Sequence, residues 1–99
     1  MEYRRLGRSG LRVSCLALGT MNFADPTPAA EADRIIRAAV DAGINLLDCA
    51  DVYAGGESQR LVGRALHDAG LRDRLILSSK VHMPVGPGPN DRGLSRRHI

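Results

Sequence analysis

Three side chains in this 99-residue sequence could work on one proton: Asp48, Tyr53 and Lys80. Ile44, Leu46 and Leu47 form a short apolar run that stops abruptly at Asp48, the pattern of a buried strand whose carboxyl end opens onto a site. A carboxylate at such a position is costly unless it is paired or used. Asp51 and Tyr53 follow within a few residues, so an acid and a phenol leave the same strand tip together. Lys80 closes the later run Leu75, Ile76, Leu77, Ser78, Ser79 and is the only lysine among 14 basic residues. An ammonium group can be desolvated and tuned where a guanidinium cannot. Beside a phenol, which is a weak acid at neutral pH, such a cation favours the phenolate, while a carboxylate keeps the lysine charged and oriented. The trio therefore suits general acid catalysis. Taken singly, each residue has a plainer role: Asp48 could cap a helix or pair with an arginine, Tyr53 could be packing, and a strand-end lysine could be solvated. Only together do they point to proton chemistry.

The elements that must position these groups can be read in chain order. Glu2 to Arg5 and Leu11 to Ser14 flank the turn-forming Leu6-Gly7-Arg8-Ser9-Gly10 and predict a β-hairpin. Cys15 to Leu18 reads as a strand ending at Gly19-Thr20-Met21-Asn22. Thr27 followed by Pro28 predicts an N-cap and first helical residue. Ala32, Ile35, Ile36, Ala39 and Val40 then make the apolar stripe of a helix lying on a sheet, and Gly43 suits its C-terminal cap. After the Asp48 strand, Glu57-Ser58 opens a second helix with Leu61, Val62, Ala65 and Leu66 facing inward and Gly63 allowing a close approach. Leu75 to Leu77 is the third strand. Gly86-Pro87-Gly88-Pro89-Asn90-Asp91 lacks the spacing of a phosphate-binding loop; it reads as a stiff turn with Asn90 or Asp91 as a cap for a helix starting at Leu94. Strands alternating with helices imply α/β architecture, a parallel sheet with right-handed crossovers. At roughly 30 residues per β-α pair, the pattern extends to the ~250 residues of a (β/α)8 barrel. Residues 1–99 are thus expected to supply its hairpin, its first three strands and the start of a third helix, as one incomplete domain.

Composition excludes several function classes. With 43% hydrophobic and 25% charged residues the chain is ordinary globular material. The only aromatics are Tyr3, Phe23 and Tyr53, so the core must be aliphatic, and a phenol next to a strand-end acid is harder to dismiss as packing. The net charge of +3 is mild, and the arginines are scattered without interleaved aromatics, which argues against a nucleic-acid partner. No apolar run approaches the ~20 residues that span a bilayer, and no export signal is visible, so a cytoplasmic location without membrane attachment is expected. Cys15 and Cys49 fall on different strands and read as reduced thiols, Cys15 as a small buried hydrophobe. No His, Cys or carboxylate set has metal-ligand spacing. His82 is open between contacting substrate and packing after the third strand; His67 and His98 read as exposed helix residues.

These pieces resemble the aldo-keto reductase family along nearly the whole chain. The matching segments are M-E-Y-R-R-L-G-R-S-G-L-R-V-S, L-G-T-M-N-F, D-A-G-I-N-L-L-D-C-A-D-V-Y, V-G-R-A-L, L-S-S-K-V and G-P-G-P-N-D-R-G-L-S-R-R-H-I. The last is most similar to the subgroup of bacterial aldo-keto reductases and potassium-channel β subunits. The resemblance implies a (β/α)8 TIM barrel that reduces aldehydes and ketones with NADPH, so NADP(H) is the expected cofactor and a small carbonyl compound the expected substrate. It implies Tyr53 as proton donor, Lys80 as its activating cation and Asp48 as the lysine's partner, with Gly19, Thr20, Met21 and Asp48 near the nicotinamide ribose. The family's catalytic histidine and its adenosine-phosphate loops would lie beyond Ile99. Two positions depart from the family pattern: Cys49 replaces Thr or Ser, and Gln59 replaces a frequent Glu. By strand alternation Cys49 points away from Asp48. Besides an enzyme, the resemblance leaves open a cofactor-sensing regulatory subunit of the same fold and an inactive remnant; the oligomeric state is open as well.

Overall fold

The computed structural model describes all 99 residues, and its strands are short. Strands β1 (Tyr3–Arg5) and β2 (Arg12–Ser14) form the antiparallel hairpin, with Tyr3 opposite Ser14. Strands β3 (Leu18–Gly19), β4 (Leu46–Asp48) and β5 (Ile76–Ser78) make a parallel sheet in the order β3-β4-β5. Helix α1 (Ala29–Asp41) connects β3 to β4, and helix α2 (Glu57–Asp68) connects β4 to β5. This is the opening of a (β/α)8 barrel, with three parallel strands and no closure.

Register decides which side chains meet the helices. Leu18, Leu47 and Leu77 are aligned across the three strands. Leu47 is fully buried among Ile36, Leu61, Val62 and Leu66, with Leu18 and Leu77 packed at the margin of this cluster. The alternate row, Gly19, Asp48 and Ser78, therefore faces the opposite side. That side carries no helix, and Leu46 and Ile76 are only half-buried there. The molecule is accordingly a slab of 43 × 36 × 20 Å.

Helix α1 ends as its sequence dictates. In α1 the Gly43 N–H donates to Val40 O and the Ile44 N–H to Ala39 O, each at 2.9 Å, a Schellman cap with Gly43 at φ +90°. A Cβ on Gly43 would lie 2.8 Å from Met1 Cβ and 3.2 Å from the Tyr3 hydroxyl, which donates to the Gly43 carbonyl. Gly43→Ala is therefore expected to cost about 1 to 2 kcal/mol through the positive φ and the displaced hairpin. Chemical denaturation of the complete-barrel protein measures it, and an unchanged midpoint would remove the steric argument. Asn45 fixes the same junction. Its Oδ1 accepts from Ser14 N–H at 2.8 Å, its Nδ2 donates to Arg12 O at 3.0 Å, and its own N–H donates to Ser14 Oγ at 3.1 Å.

Several expectations need correction. Cys15 does not begin the barrel strand: its N–H donates to Glu2 O, extending the hairpin ladder, and its thiol is exposed. Ser14 Oγ donates to Leu16 O and turns the chain there, so β3 starts only at Leu18. The N-cap of α1 is Pro28 rather than Thr27, with no side-chain cap bond. Gly63 is exposed and has open space where a Cβ would project. The start of the third helix is a single turn, with His98 and Ile99 N–H donating to Ser95 O, and His98 is half-buried rather than exposed. Asp91 caps no helix: its carboxylate accepts from Gly88 N–H at 2.8 Å within the loop. A Cβ at Gly86 or Gly88 would strike that carboxylate, which accounts for both glycines.

Candidate active site

Asp48, Tyr53 and Lys80 meet at the carboxyl ends of β4 and β5. Parallel pairing puts Asp48 opposite Ser78, and the backbone alignment continues past the strands, with Cys49 N–H donating to Ser78 O at 2.8 Å and Asp51 N–H to Lys80 O at 3.2 Å. Lys80 is thereby carried two residues beyond β5, alongside the segment that leads to Tyr53. A short 3₁₀ turn over Tyr53–Gly56 then brings the phenol back over the strand ends. Ala54, Gly55 and Gly56 all take positive φ in this reversal.

Lys80 Nζ uses its three protons on three oxygens. It donates to Asp48 Oδ2 and to the Cys49 carbonyl, both at 2.8 Å, and to the Tyr53 hydroxyl oxygen at 3.3 Å. The ammonium also lies 5.3 Å from the Tyr53 ring centroid, within cation–π range. The hydrogen bond to Asp48 holds the lysine pKa above its ordinary 10.5, with the Tyr53 oxygen adding to the effect against partial desolvation. Lys80 therefore remains a cation throughout the neutral range. The side chains of Lys80 and Asp48 are 52% and 40% exposed, so water screens the pair and its geometry, more than its strength, is informative.

Gly19 and Thr20 flank Asp48 on the β3 side. Gly19 is its register partner and is exposed, and a Cβ there would meet nothing within 4 Å. Thr20 is completely buried, and both its N–H (3.0 Å) and its Oγ1 (3.1 Å) donate to the Asp48 carbonyl. Met21 is 63% exposed beyond it. Of the expected cofactor residues, Gly19 and Met21 thus offer open surface, whereas the Thr20 hydroxyl is already engaged. Asp51 lines a cleft of about 150 Å³ with Val52, Gly55, Pro84 and Val85. His82 is exposed just past Lys80. Cys49 is buried in the helix-side core, on the face opposite Asp48.

Two contributors have no signal in the sequence. The Cys49 carbonyl, a backbone atom, is the third acceptor of the lysine. Ser58 is fully buried and its Oγ donates to Thr20 O at 2.7 Å. A serine in the first turn of a helix reads as ordinary helix-start chemistry, and only the fold brings it to a residue 38 positions away.

The family model described as "Aldo/keto reductase family" matches residues 15–99. Among curated relatives, a probable voltage-gated potassium channel subunit beta of Oryza sativa subsp. japonica is 45% identical over 100 residues, covering all of this chain and 30% of its own length. An uncharacterized oxidoreductase of Bacillus subtilis (strain 168) is 43% identical over 112 residues, covering all of this chain and 34% of its own. The chain thus spans about a third of the length of these relatives. Among solved structures, the aldo-keto reductase AKR11C1 from Bacillus halodurans, in a holo form, superposes with a TM-score of 0.74 at 38% identity, over 88% of this chain and 28% of that one. Sequence and architecture agree: the chain belongs to the aldo/keto reductase family.

Proposed function

We propose that these residues form the catalytic corner of a complete (β/α)8 barrel that reduces aldehydes and ketones to alcohols with NADPH. The observation that carries this reading is the lysine bridge, with Nζ 2.8 Å from Asp48 Oδ2 and 3.3 Å from the Tyr53 hydroxyl. In it, Tyr53 gives its proton to the substrate carbonyl oxygen. Lys80 stabilises the phenolate left behind, and Asp48 together with the Cys49 carbonyl keeps the ammonium charged and aimed. The bound cofactor would supply the hydride. Gly19, Met21 and Asp48 are the residues proposed to hold its nicotinamide end, with Thr20 fully buried behind them. They fit that role because Gly19 presents bare backbone beside Asp48 with open space in front of it, which suits the approach of a planar ring and its ribose. Thr20 shapes the site through the Asp48 main chain rather than by a free hydroxyl. The catalytic histidine and the adenosine-phosphate contacts are proposed to belong to strands beyond residue 99.

A second reading, a cofactor-sensing regulatory subunit, is supported by the identity to the rice channel-subunit relative. Turnover separates the two. In the complete-barrel protein Lys80→Met is expected to lower kcat by about 10² to 10⁴-fold, the usual worth of general acid catalysis, with NADPH affinity retained. Steady-state kinetics across a series of aldehydes and pH values checks this. A normal rate with an unshifted pH profile would eliminate the lysine's role, and a wild-type protein that binds NADPH without turning over favours the regulatory reading.

A further inference from the structure

We infer that Gln59 is a positioning residue for the Asp48, Tyr53 and Lys80 cluster, acting with its neighbour Ser58 so that the first turn of α2 clamps both strand ends that flank Asp48. The inference rests on the catalytic reading above and adds the device that sets its geometry. On the β3 side, Ser58 Oγ donates to Thr20 O, and Thr20 donates twice to the Asp48 carbonyl. On the β5 side, Gln59 Nε2 donates to Ser79 Oγ, one residue before Lys80. The two bonds come from consecutive residues of one helix turn and reach the outer strands of the three, with Asp48 on the strand between them.

The β5 contact matters because the ladder gives out there. β5 ends at Ser78, and from Ser79 onward the chain is irregular, with His82 at φ +151°. Over Ser79 and Lys80 the one main-chain bond is from Asp51 N–H to Lys80 O, on the β4 side. Along an extended chain neighbouring side chains point to opposite faces, so tethering Ser79 toward the helix layer turns Lys80 toward the open face that carries Asp48. The titratable groups facing the lysine are Asp48 and Tyr53. Gln59 itself touches none of the three groups.

The test uses the complete-barrel protein and two variants, Gln59→Ala and Gln59→Glu; the carboxylate cannot donate as the Gln59 amide does, but it accepts from the Ser79 hydroxyl and keeps the tether with the bond reversed. Lys80 acylation by acetic anhydride at pH 8 is followed by peptide mass mapping, alongside kcat, its pH profile and the melting temperature. A lysine loosened from Asp48 loses the hydrogen bond that holds its proton, so Lys80 in Gln59→Ala is expected to acylate about threefold faster. Its kcat is expected to fall about tenfold, with the KM for NADPH unchanged, because misplacing a reacting group costs rate rather than binding. Gln59→Glu is expected to restore both readouts. In an active protein, an unchanged acylation rate or an unchanged kcat in Gln59→Ala overturns the inference, whatever the melting temperature does. If the wild-type protein reduces no carbonyl, the proposed function fails, and the acylation rate alone decides Gln59: threefold acceleration sustains its hold on Lys80, and no change removes it.

Discussion

Tyr53→Phe in the complete-barrel protein is expected to reduce carbonyl turnover by about 10³-fold while NADPH affinity stays within about twofold, because the hydroxyl acts in the transition state and hardly in cofactor binding. Phenylalanine keeps the ring, so the packing over the strand ends and the 5.3 Å cation–π contact with Lys80 are preserved. What disappears is the hydroxyl proposed to protonate the substrate, together with the oxygen that accepts from Lys80 at 3.3 Å. The lysine keeps Asp48 and the Cys49 carbonyl, so the site is not dismantled. Hydride transfer measured by NADPH absorbance, with cofactor affinity from its fluorescence, separates the two quantities. Undiminished turnover would move the proton donor elsewhere.

The second large effect concerns residues 1–99 expressed by themselves. They are expected to self-associate, to melt without a sharp transition, and to show neither saturable NADPH binding nor aldehyde reduction. Only 17 of the 99 residues are buried, too few for a domain that must offset its ordering entropy with one aliphatic core. The helix-side layer is sound, and Leu75, at 6% exposure, belongs to it. The weakness lies on the other face, where Leu46 and Ile76 are only half-covered, and along β5, which has no partner on its outer edge. Each large apolar side chain left in water forgoes roughly 1.5 to 3 kcal/mol, against a net stability of about 5 to 15 kcal/mol for a small domain. Light scattering and calorimetry decide the matter. A monodisperse monomer with a cooperative melt would mean that two layers suffice.

What the sequence reveals here is what local pattern encodes. The apolar run broken at Asp48 marks a strand end, the 3.6-residue stripe from Ala32 to Val40 marks α1, and Gly43 marks its cap, because each depends on near neighbours in the chain. The convergence of Asp48, Tyr53 and Lys80 is legible because two lie on one strand tip and the third follows the next parallel strand, whose register leaves little freedom. Where pattern and fold part company, the cause is distant in the chain. Cys15 looks like strand material, and its place depends on whether the hairpin ladder or the barrel claims it; the bond to Glu2 O settles that. Leu94 to Ile99 is six residues long and forms one turn, closed by His98 and Ile99 N–H on Ser95 O. The Ser58 to Thr20 and Gln59 to Ser79 links join residues 38 and 20 positions apart, and nothing in the neighbourhood of either serine announces them.

Asn45 and Asp48 bound the working length of β4. One end is stitched to the hairpin by three hydrogen bonds, and the other meets the Lys80 ammonium. At about 3.3 Å per residue, the three steps between them span roughly 10 Å. The segment behaves as a ruler of fixed count. One residue more or fewer would reverse the faces of Leu47 and Asp48, driving a carboxylate into the aliphatic layer and a leucine onto the open face beside Lys80. Descendants of this sequence are thus free to change the identity of Leu46 or Leu47 among aliphatics, but not their number, and length variation is channelled into the glycine reversal after Tyr53 and the loop after Lys80. Insertions and deletions, more than substitutions, are what this strand forbids to evolution.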